Sequence, residues 1–398
     1  MMPDTASASW GAPASFRVGR CARLRARLRR AGILLAAGMA MTACAARPGP
    51  EVLNPTDVSV PGAKAVTIYV ATTRGSEVAG GSRFAARRAP ATSYDAFRIS
   101  IPPTHRPGQI EWPRGKPDPA RNFVTLQQEE LGERTFLKEV ATREAARAKH
   151  KVWVFVHGYN SSFQESLFRF AQLIADADAD SVPILFAWPS EGELTGYVAD
   201  KDAATYSRDA LARLLVQLAQ DRTAQITVVG HSMGGWLTVE ALRQLRLSGR
   251  DAVLARLEVV LAAPDIDLDV FRAQTDVIGP LSPPMTVLVS RDDVALSVSR
   301  RIAGERPRVG SLDVNDPRVQ ELAMRTHVQI VDISTLRATD GFNHDRFVGL
   351  AALYPKFANT PQAQPGYPLR QAGAFVFDAV GTTLSAPFSL AGRALSGQ

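Results

Sequence analysis

The sequence predicts an α/β protein with a mostly parallel, doubly wound sheet and helices on both of its faces. From Val152 onward, short apolar stretches alternate with helical stretches, which is typical of parallel strands joined by crossover helices. The strands are near-continuous apolar runs, as burial on both faces of a sheet requires. The chain has 398 residues, 45% of them hydrophobic and 21% charged, so it is long enough to form a large buried core.

The predicted elements follow from apolar periodicity. Three strand candidates and one helix precede the alternating region: strands 65–70, 97–101 and 123–126, and a helix over about 133–149. Long loops rich in Gly, Pro and Arg separate these strands. Six strands form the predicted sheet core: 152–156, 182–188, 226–229, 257–262, 285–289 and 328–333. Helices are expected over 163–177 and along two apolar faces: Tyr206, Ala210, Leu211, Leu214, Leu215 and Leu218 in one, and Leu237, Ala241 and Leu245 in the other.

The first 43 residues are predicted to be a lipoprotein-type signal peptide. They hold seven arginines and one acidic residue, with an apolar stretch over 31–41 that is too short for a permanent membrane span. The following Met41-Thr42-Ala43-Cys44 resembles a lipobox, in which the cysteine is lipidated. We therefore expect a lipid anchor at Cys44 that holds the protein to the bacterial cell envelope, at the outer membrane and facing the periplasm. An ordinary cleavage site beside a bystander cysteine is the alternative.

The charge distribution argues against a polyanionic partner. The leader accounts for +6 of the formal net charge of +7, so the rest of the chain is close to neutral and no nucleic-acid partner is expected. Cys21 and Cys44 are the two cysteines of the sequence, and removal of the leader leaves no pair for a disulfide. We expect a Pro-rich tether over 44–63, a folded domain over 64–355 and a disordered Ala/Gly/Pro-rich tail over 356–398, with a short docking segment near 374–380.

One run between a predicted strand and a predicted helix carries the main functional signal. Gly230-His231-Ser232-Met233-Gly234 follows Ile226–Val229 directly, which is the strand, turn and helix context of a nucleophile elbow. Such a turn brings the backbone so close to its neighbours that glycine is needed two residues before and two after the serine. The elbow exposes the serine hydroxyl and places the Met233 N–H at a helix start, where it can stabilise negative charge. The alternative is a Gly-Ser turn that joins a core strand to a helix and has only a structural role.

A serine nucleophile needs a base and an acid, which in doubly wound hydrolases follow it in chain order as acid and then histidine. His344 lies in a loop after the last strand, so we expect it to be the base. Asp293, after strand 285–289, is the expected acid that orients the imidazole, and the adjacent Asp292 remains a candidate. Two outside candidates follow the preceding strand, with helix capping as their ordinary role: Asp265 and Asp267. The remaining histidines are weaker candidates for the base. His327 is expected to be structural, His231 lies inside the elbow and is expected to point away from the serine, and two others precede the sheet core or flank the start of a strand: His105 and His150.

The loop after the first core strand is expected to complete an oxyanion hole. In His157-Gly158-Tyr159-Asn160, Gly158 permits a tight approach and the Tyr159 N–H is the expected donor beside that of Met233. Five aromatic residues are candidates for the pocket lining, with core packing as the alternative for each: Tyr159, Trp188, Tyr197, Trp236 and Phe342.

These stretches together resemble an alpha/beta-hydrolase, and more narrowly the poorly characterised family of predicted esterase/lipase-like bacterial lipoproteins. Five stretches within about residues 65–355 carry the resemblance: Tyr69–Arg74, Phe155–Asn160, Gly230–Gly235, Leu261–Asp267 and Ser290–Leu296. The family pattern implies Asp293 as the acid and a histidine near the C-terminus, which matches His344. The resemblance supplies no natural substrate.

We therefore expect a membrane-anchored serine hydrolase that acts on a small-molecule carboxylic ester through Ser232, His344 and Asp293, with neither a cofactor nor a metal. A thioesterase, lipase or peptidase would use the same residues, because leaving-group preference depends on the pocket. The alternative from another class is a non-catalytic envelope lipoprotein that keeps the fold as a binding scaffold.

Overall fold

The computed structural model describes residues 47–58, 60–76, 84–113, 115–147, 151–221, 223–349 and 376–378. The predicted leader and Cys44 lie outside these residues, as does the predicted tail apart from Val376–Asp378. No helix within these ranges combines the length and the apolar character needed to cross a bilayer. The elements below belong to the unit that begins at Gly49.

The described strands are β1 Lys64–Gly75, β2 Ala85–Ile101, β3 Val124–Leu131, β4 Lys151–Val156, β5 Val182–Ala187, β6 Gln225–His231, β7 Leu257–Ala262, β8 Met285–Val289, β9 Val328–Asp332 and β10 Val376–Asp378. The helices are α1 Glu133–Ala145, α2 Phe163–Ala177, α3 Tyr197–Leu218, α4 Met233–Leu247, α5 Asp251–Leu254, α6 Leu268–Ile278, α7 Val294–Ile302 and α8 Pro317–Thr326. Two 3-10 turns cover Pro50–Leu53 and Val309–Ser311.

The described strands form one sheet in the order β10-β9-β8-β7-β6-β4-β5-β1-β2-β3. In the part of the sheet that runs from β10 through β6, β4 and β5 to β1, all neighbouring strands are parallel. At the other edge, β2 is antiparallel to both β1 and β3. Neighbouring side chains of one strand point to opposite faces, so Val154 joins one buried cluster and Phe155 joins the other. The predicted fold class is therefore confirmed, and the carboxyl ends of β4, β6, β7, β8 and β9 meet at one edge of the sheet.

Three expectations about local structure need correction. β2 begins at Ala85, inside a region predicted to be a loop, because its exposed first half pairs with β1 and needs no apolar residues for that. Part of the predicted tether packs onto the domain: Val52 and Leu53 are buried, and Thr125 Oγ1 donates to Val52 O at 2.9 Å. Tyr206 does not belong to the buried face of α3, because the residue is 45% exposed.

Candidate active site

The turn between β6 and α4 has the geometry of a nucleophile elbow. Ser232 stands there with φ 54° and ψ −121°, a left-handed backbone that residues with side chains rarely adopt and that concentrates at functional sites. A β-carbon on Gly234 would lie 2.3 Å from the carbonyl oxygens of Val156 and His157, and one on Gly230 would lie 2.8 Å from the Gly234 oxygen. The predicted need for glycine at both positions is confirmed.

Neighbouring backbone holds the strained serine on both sides. Ser232 N–H donates to Ala262 O at 2.9 Å, and Ser232 O accepts from Gly235 N–H at 3.0 Å and from Asp265 N–H at 3.1 Å. Two of these partners belong to the end of β7 and to the loop that follows it. The position of Ser232 is therefore set by the adjacent strand as well as by its own turn.

The structure brings His344 and Asp293 into direct contact. Asp293 Oδ2 lies 2.7 Å from His344 Nδ1, and Asp293 Oδ1 accepts from Leu296 N–H at 2.9 Å, so this fully buried carboxylate also caps α7. Burial alone would lower the pKa of His344, but the hydrogen bond and the charge of Asp293, with further contributions from Asp265 and Asp340, outweigh it and raise that pKa. The contact with Asp293 uses Nδ1 of the imidazole and leaves Nε2 on the other side of the ring.

Asp292 has a different task from its neighbour. Its carboxylate accepts from Ser290 Oγ at 2.8 Å, from Asn343 Nδ2 at 3.1 Å and from Arg346 Nη2. Asn343 and Arg346 flank His344 in the chain, so Asp292 ties down the loop that carries the imidazole. Of the two adjacent carboxylates, the one that contacts the imidazole is Asp293.

The imidazole of His344 lies beside the elbow. Its ring centroid is 4.7 Å from that of His231, the residue before Ser232, and His231 also packs on Phe347 at 4.5 Å. Within the described residues the Ser232 hydroxyl makes no hydrogen bond, and catalytic hydrogen bonds are often long before substrate binds. Ser232 and His344 thus share one corner of the sheet edge.

The loop after β4 contacts the elbow directly. A β-carbon on Gly158 would lie 3.0 Å from Ser232 Cβ and 2.9 Å from His231 Nδ1, which confirms that glycine permits the tight approach. In the described part of the chain, neither the Tyr159 N–H nor the Met233 N–H donates a hydrogen bond. Met233 is the first residue of α4, where the helix dipole favours negative charge. These two free donors suit an oxyanion.

Among the described contacts, neither of the two outside carboxylate candidates is hydrogen-bonded to the imidazole of His344. Asp267 caps α6, accepting hydrogen bonds from two backbone N–H groups of its first turn. Asp265 lies in a buried polar cluster, where its carboxylate accepts from Ser299 Oγ at 2.6 Å and Tyr197 OH at 3.0 Å and pairs with Arg308 Nε at 3.3 Å. Sequence reasoning missed this cluster, because Arg308 follows no recognisable motif.

The five aromatic candidates divide between core and surface. Trp188 is fully buried and stacks on His157 at 4.9 Å, which agrees with core packing, the alternative given for it. Trp236 is 9% exposed beneath the ammonium group of Lys201, and Phe342 is 55% exposed beside the start of α7. Tyr159 and Tyr197 pack edge to face at 5.4 Å next to the elbow. Their position makes them the better candidates for contact with a substrate.

Comparison with known proteins assigns the chain to a family. A family model described as alpha/beta hydrolase of unknown function (DUF900) matches residues 133–360, more than half of the chain. The chain belongs to this family. The matched range includes β4 to β9 and all five residues of the candidate active site: Tyr159, Ser232, Met233, Asp293 and His344.

One curated relative of this alpha/beta hydrolase is an uncharacterized protein, alr1448, of Nostoc sp. (strain PCC 7120 / SAG 25.82 / UTEX 2576). It is 30% identical over 142 residues. The match covers 29% of this chain and 36% of the relative, so the chain spans little more than a third of that protein's length. Among the described residues, no group of three or more His, Cys, Asp or Glu is arranged to hold a metal ion.

Proposed function

We propose that this alpha/beta hydrolase is a serine esterase that cleaves carboxylic esters through an acyl-enzyme. The observation that carries the proposal is the 2.7 Å contact between His344 Nδ1 and the buried carboxylate of Asp293, beside the strained turn of Ser232. A binding scaffold needs neither an oriented imidazole nor an elbow. A serine hydrolase on this fold uses both.

The proposed reaction begins with attack of Ser232 Oγ on the ester carbonyl carbon while His344 Nε2 accepts the hydroxyl proton. The oxyanion that forms accepts hydrogen bonds from the Tyr159 and Met233 N–H groups. The bond from carbon to the alcohol oxygen then breaks, and His344 donates the proton to the leaving alcohol. A water molecule gives a proton to His344 and attacks the acyl carbon, and the proton returns to Ser232 as the acid leaves.

Asp293 supports both half-reactions without changing its own protonation. Its hydrogen bond to Nδ1 fixes the ring orientation and the tautomer that leaves Nε2 as the acceptor. Its negative charge stabilises the imidazolium that forms twice in each cycle, which agrees with the raised pKa of His344. Asp292 keeps the loop in place through Asn343 and Arg346.

Labelling with a fluorophosphonate probe and hydrolysis of p-nitrophenyl esters of increasing chain length test this proposal. We expect the protein lacking its leader to be labelled and to hydrolyse the esters, and Ser232→Ala to lose both reactions. Ser248→Ala is the matched control, since Ser248 lies at the other end of α4. An unlabelled protein that hydrolyses no ester would instead support the scaffold function.

We further propose that Cys44 anchors the enzyme to the bacterial envelope through a lipid. The arginine-rich, apolar leader and the Met41–Cys44 box support this proposal. Cells fed with radiolabelled palmitate should label the full chain and the Cys21→Ser variant but not Cys44→Ser. Labelling of Cys44→Ser equal to that of the unmodified chain would refute the anchor.

A further inference from the structure

A buried carboxylate in the first turn of α3 holds the loop that carries Tyr159. Asp200 has no solvent exposure. Its Oδ2 accepts from Ser190 Oγ at 2.6 Å and from Asn160 N–H at 3.2 Å, and its Oδ1 accepts from Glu191 N–H at 2.7 Å. One side chain thereby connects the loop after β4, the loop after β5 and the start of α3.

A second layer reinforces this carboxylate. Ser190 Oγ accepts from Ser161 N–H at 3.1 Å. Arg74, buried at the end of β1, donates from Nη2 to Ser161 O at 2.8 Å. Burial raises the pKa of Asp200, while its hydrogen bonds and the charge of Arg74 act in the opposite direction. A buried charge held by this many donors is costly to assemble and costly to disturb.

These contacts fix the peptide planes around the Tyr159 N–H. That N–H shares its plane with Gly158 C=O, which lies 2.9 Å from His157 Nδ1. The next plane contains the Asn160 N–H that Asp200 binds, and Asn160 itself has φ 55°. Asparagine adopts this left-handed region more readily than most residues with side chains, and the hydrogen bond from its N–H to Asp200 holds it there. Asp200 therefore restrains the turn immediately after the proposed oxyanion donor.

The same helical turn also reaches the nucleophile. Tyr197 OH donates to Asp265 Oδ2 at 3.0 Å, and the Asp265 N–H donates to Ser232 O at 3.1 Å. The first turn of α3 is thus linked through Asp200 to the loop that carries Tyr159, and through Tyr197 to the elbow. The helix α3 therefore sets the distance between the loop that carries Tyr159 and the elbow.

We infer that Asp200 is a positioning residue for the oxyanion hole, an inference that rests on the proposed esterase function. Asp200 touches no reacting atom and acts through the Tyr159 peptide. In Asp200→Asn, an amide NH₂ replaces one oxygen, so either the Asn160 N–H or the Glu191 N–H loses its acceptor, whereas the Ser190 hydroxyl can accept from the new NH₂ group. Because the side chain keeps its size, the loop loses its restraint with little change in packing.

Steady-state kinetics and binding of a boronic acid separate this role from a purely structural one. Loss of one oxyanion donor lowers kcat by about 10²–10³, so we expect displacement of a donor to lower it by about 10- to 100-fold with KM nearly unchanged. Affinity for phenylboronic acid, which forms a tetrahedral adduct with the serine, should fall by the same factor. Ser190→Ala should show a smaller loss in the same direction.

The matched control is Asp202→Asn, which removes an exposed carboxylate from the same helix and should change none of these quantities. If the unmodified protein hydrolyses no ester, the proposed function fails and this inference falls with it. If the unmodified protein is active and Asp200→Asn keeps both kcat and boronate affinity, the inference alone is refuted. Should Asp200→Asn fail to fold, unchanged values in Ser190→Ala refute it equally.

Discussion

Replacement of Gly234 by alanine tests the most sharply defined contact of the elbow. Gly234 is the second residue of α4, and its added β-carbon would lie 2.3 Å from the carbonyl oxygens of Val156 and His157. Both atoms are backbone at the end of β4, so no side-chain rotation relieves the overlap. An ordinary carbon–oxygen contact is roughly 3.3 Å, so helix and strand must separate by about 1 Å.

That displacement determines the expected magnitudes. Overpacking in a well-packed core costs about 1–3 kcal/mol, and alanine regains about 1 kcal/mol over glycine in a helix, so a net loss of up to about 2 kcal/mol is expected. For domains of 150–250 residues each kcal/mol shifts Tm by about 2–4 °C. A misplacement of about 1 Å can lower a rate about 10²-fold, and here it separates the Met233 donor from the loop carrying Tyr159.

Calorimetry and p-nitrophenyl ester kinetics measure the two effects, with Gly235→Ala as the matched control. The added β-carbon of Gly235 meets the side chain of Pro264 at 3.1 Å, which a shift of a few tenths of an ångström relieves. We expect Gly235→Ala to stay within about 1 kcal/mol of the unmodified protein. Equal stability and activity in the two variants would refute the claim that strand backbone excludes a side chain at 234.

Two further predictions concern histidines whose pKa is raised. For His344, burial lowers the pKa but Asp293 outweighs it. The proposed base acts when neutral, so kcat/KM should rise with pH through a midpoint above about 6.5. Asp293→Asn should lower that midpoint and reduce kcat by about 10⁴-fold; an unchanged profile would contradict the pairing. At His105, burial also lowers the pKa, but Asp176 (2.9 Å) and Glu111 (2.8 Å), one on each ring nitrogen, raise it. The stabilisation that protonated His105 gives the folded state is complete below about pH 6.5 and is lost as pH rises through the raised pKa. The urea concentration at the unfolding midpoint should therefore fall toward alkaline pH in the unmodified protein, and fall less in His105→Gln. Equal pH dependence of the midpoint in the two proteins would contradict this role of His105.

The sequence by itself determined the features that depend on neighbouring residues. The bounds of β7 and β8 agree with the predicted strands, because continuous apolar runs in a parallel sheet are marked by composition alone. The elbow was predicted from five residues, since the spacing of its glycines marks the turn in the sequence. The backbone that excludes a side chain at Gly234, however, lies at the end of β4, far away in the chain. The chain order of serine, acid and histidine followed from the topology that the alternating elements imply.

Prediction from local sequence pattern failed in two places, where pairing of exposed backbone or burial of a few apolar residues determined the structure. The first half of β2 has the composition of a loop, yet it pairs with β1 because a partner strand is within reach. The segment around Val52 and Leu53 has the composition of a linker, yet these two side chains are buried against the sheet. In both places tertiary contacts overrode local propensity.

Tertiary structure alone decided which charged groups work together. Asp292 and Asp293 are neighbours in the sequence, but one binds Arg346 and the other binds His344, because the end of β8 points them in different directions. Asp200 and Asp202 lie two positions apart on α3; the first is buried beneath the loop that carries Tyr159 and the second faces solvent. A carboxylate has the same chemistry at every such position. Its environment is set by residues far away in the chain, which come together only when the sheet has formed.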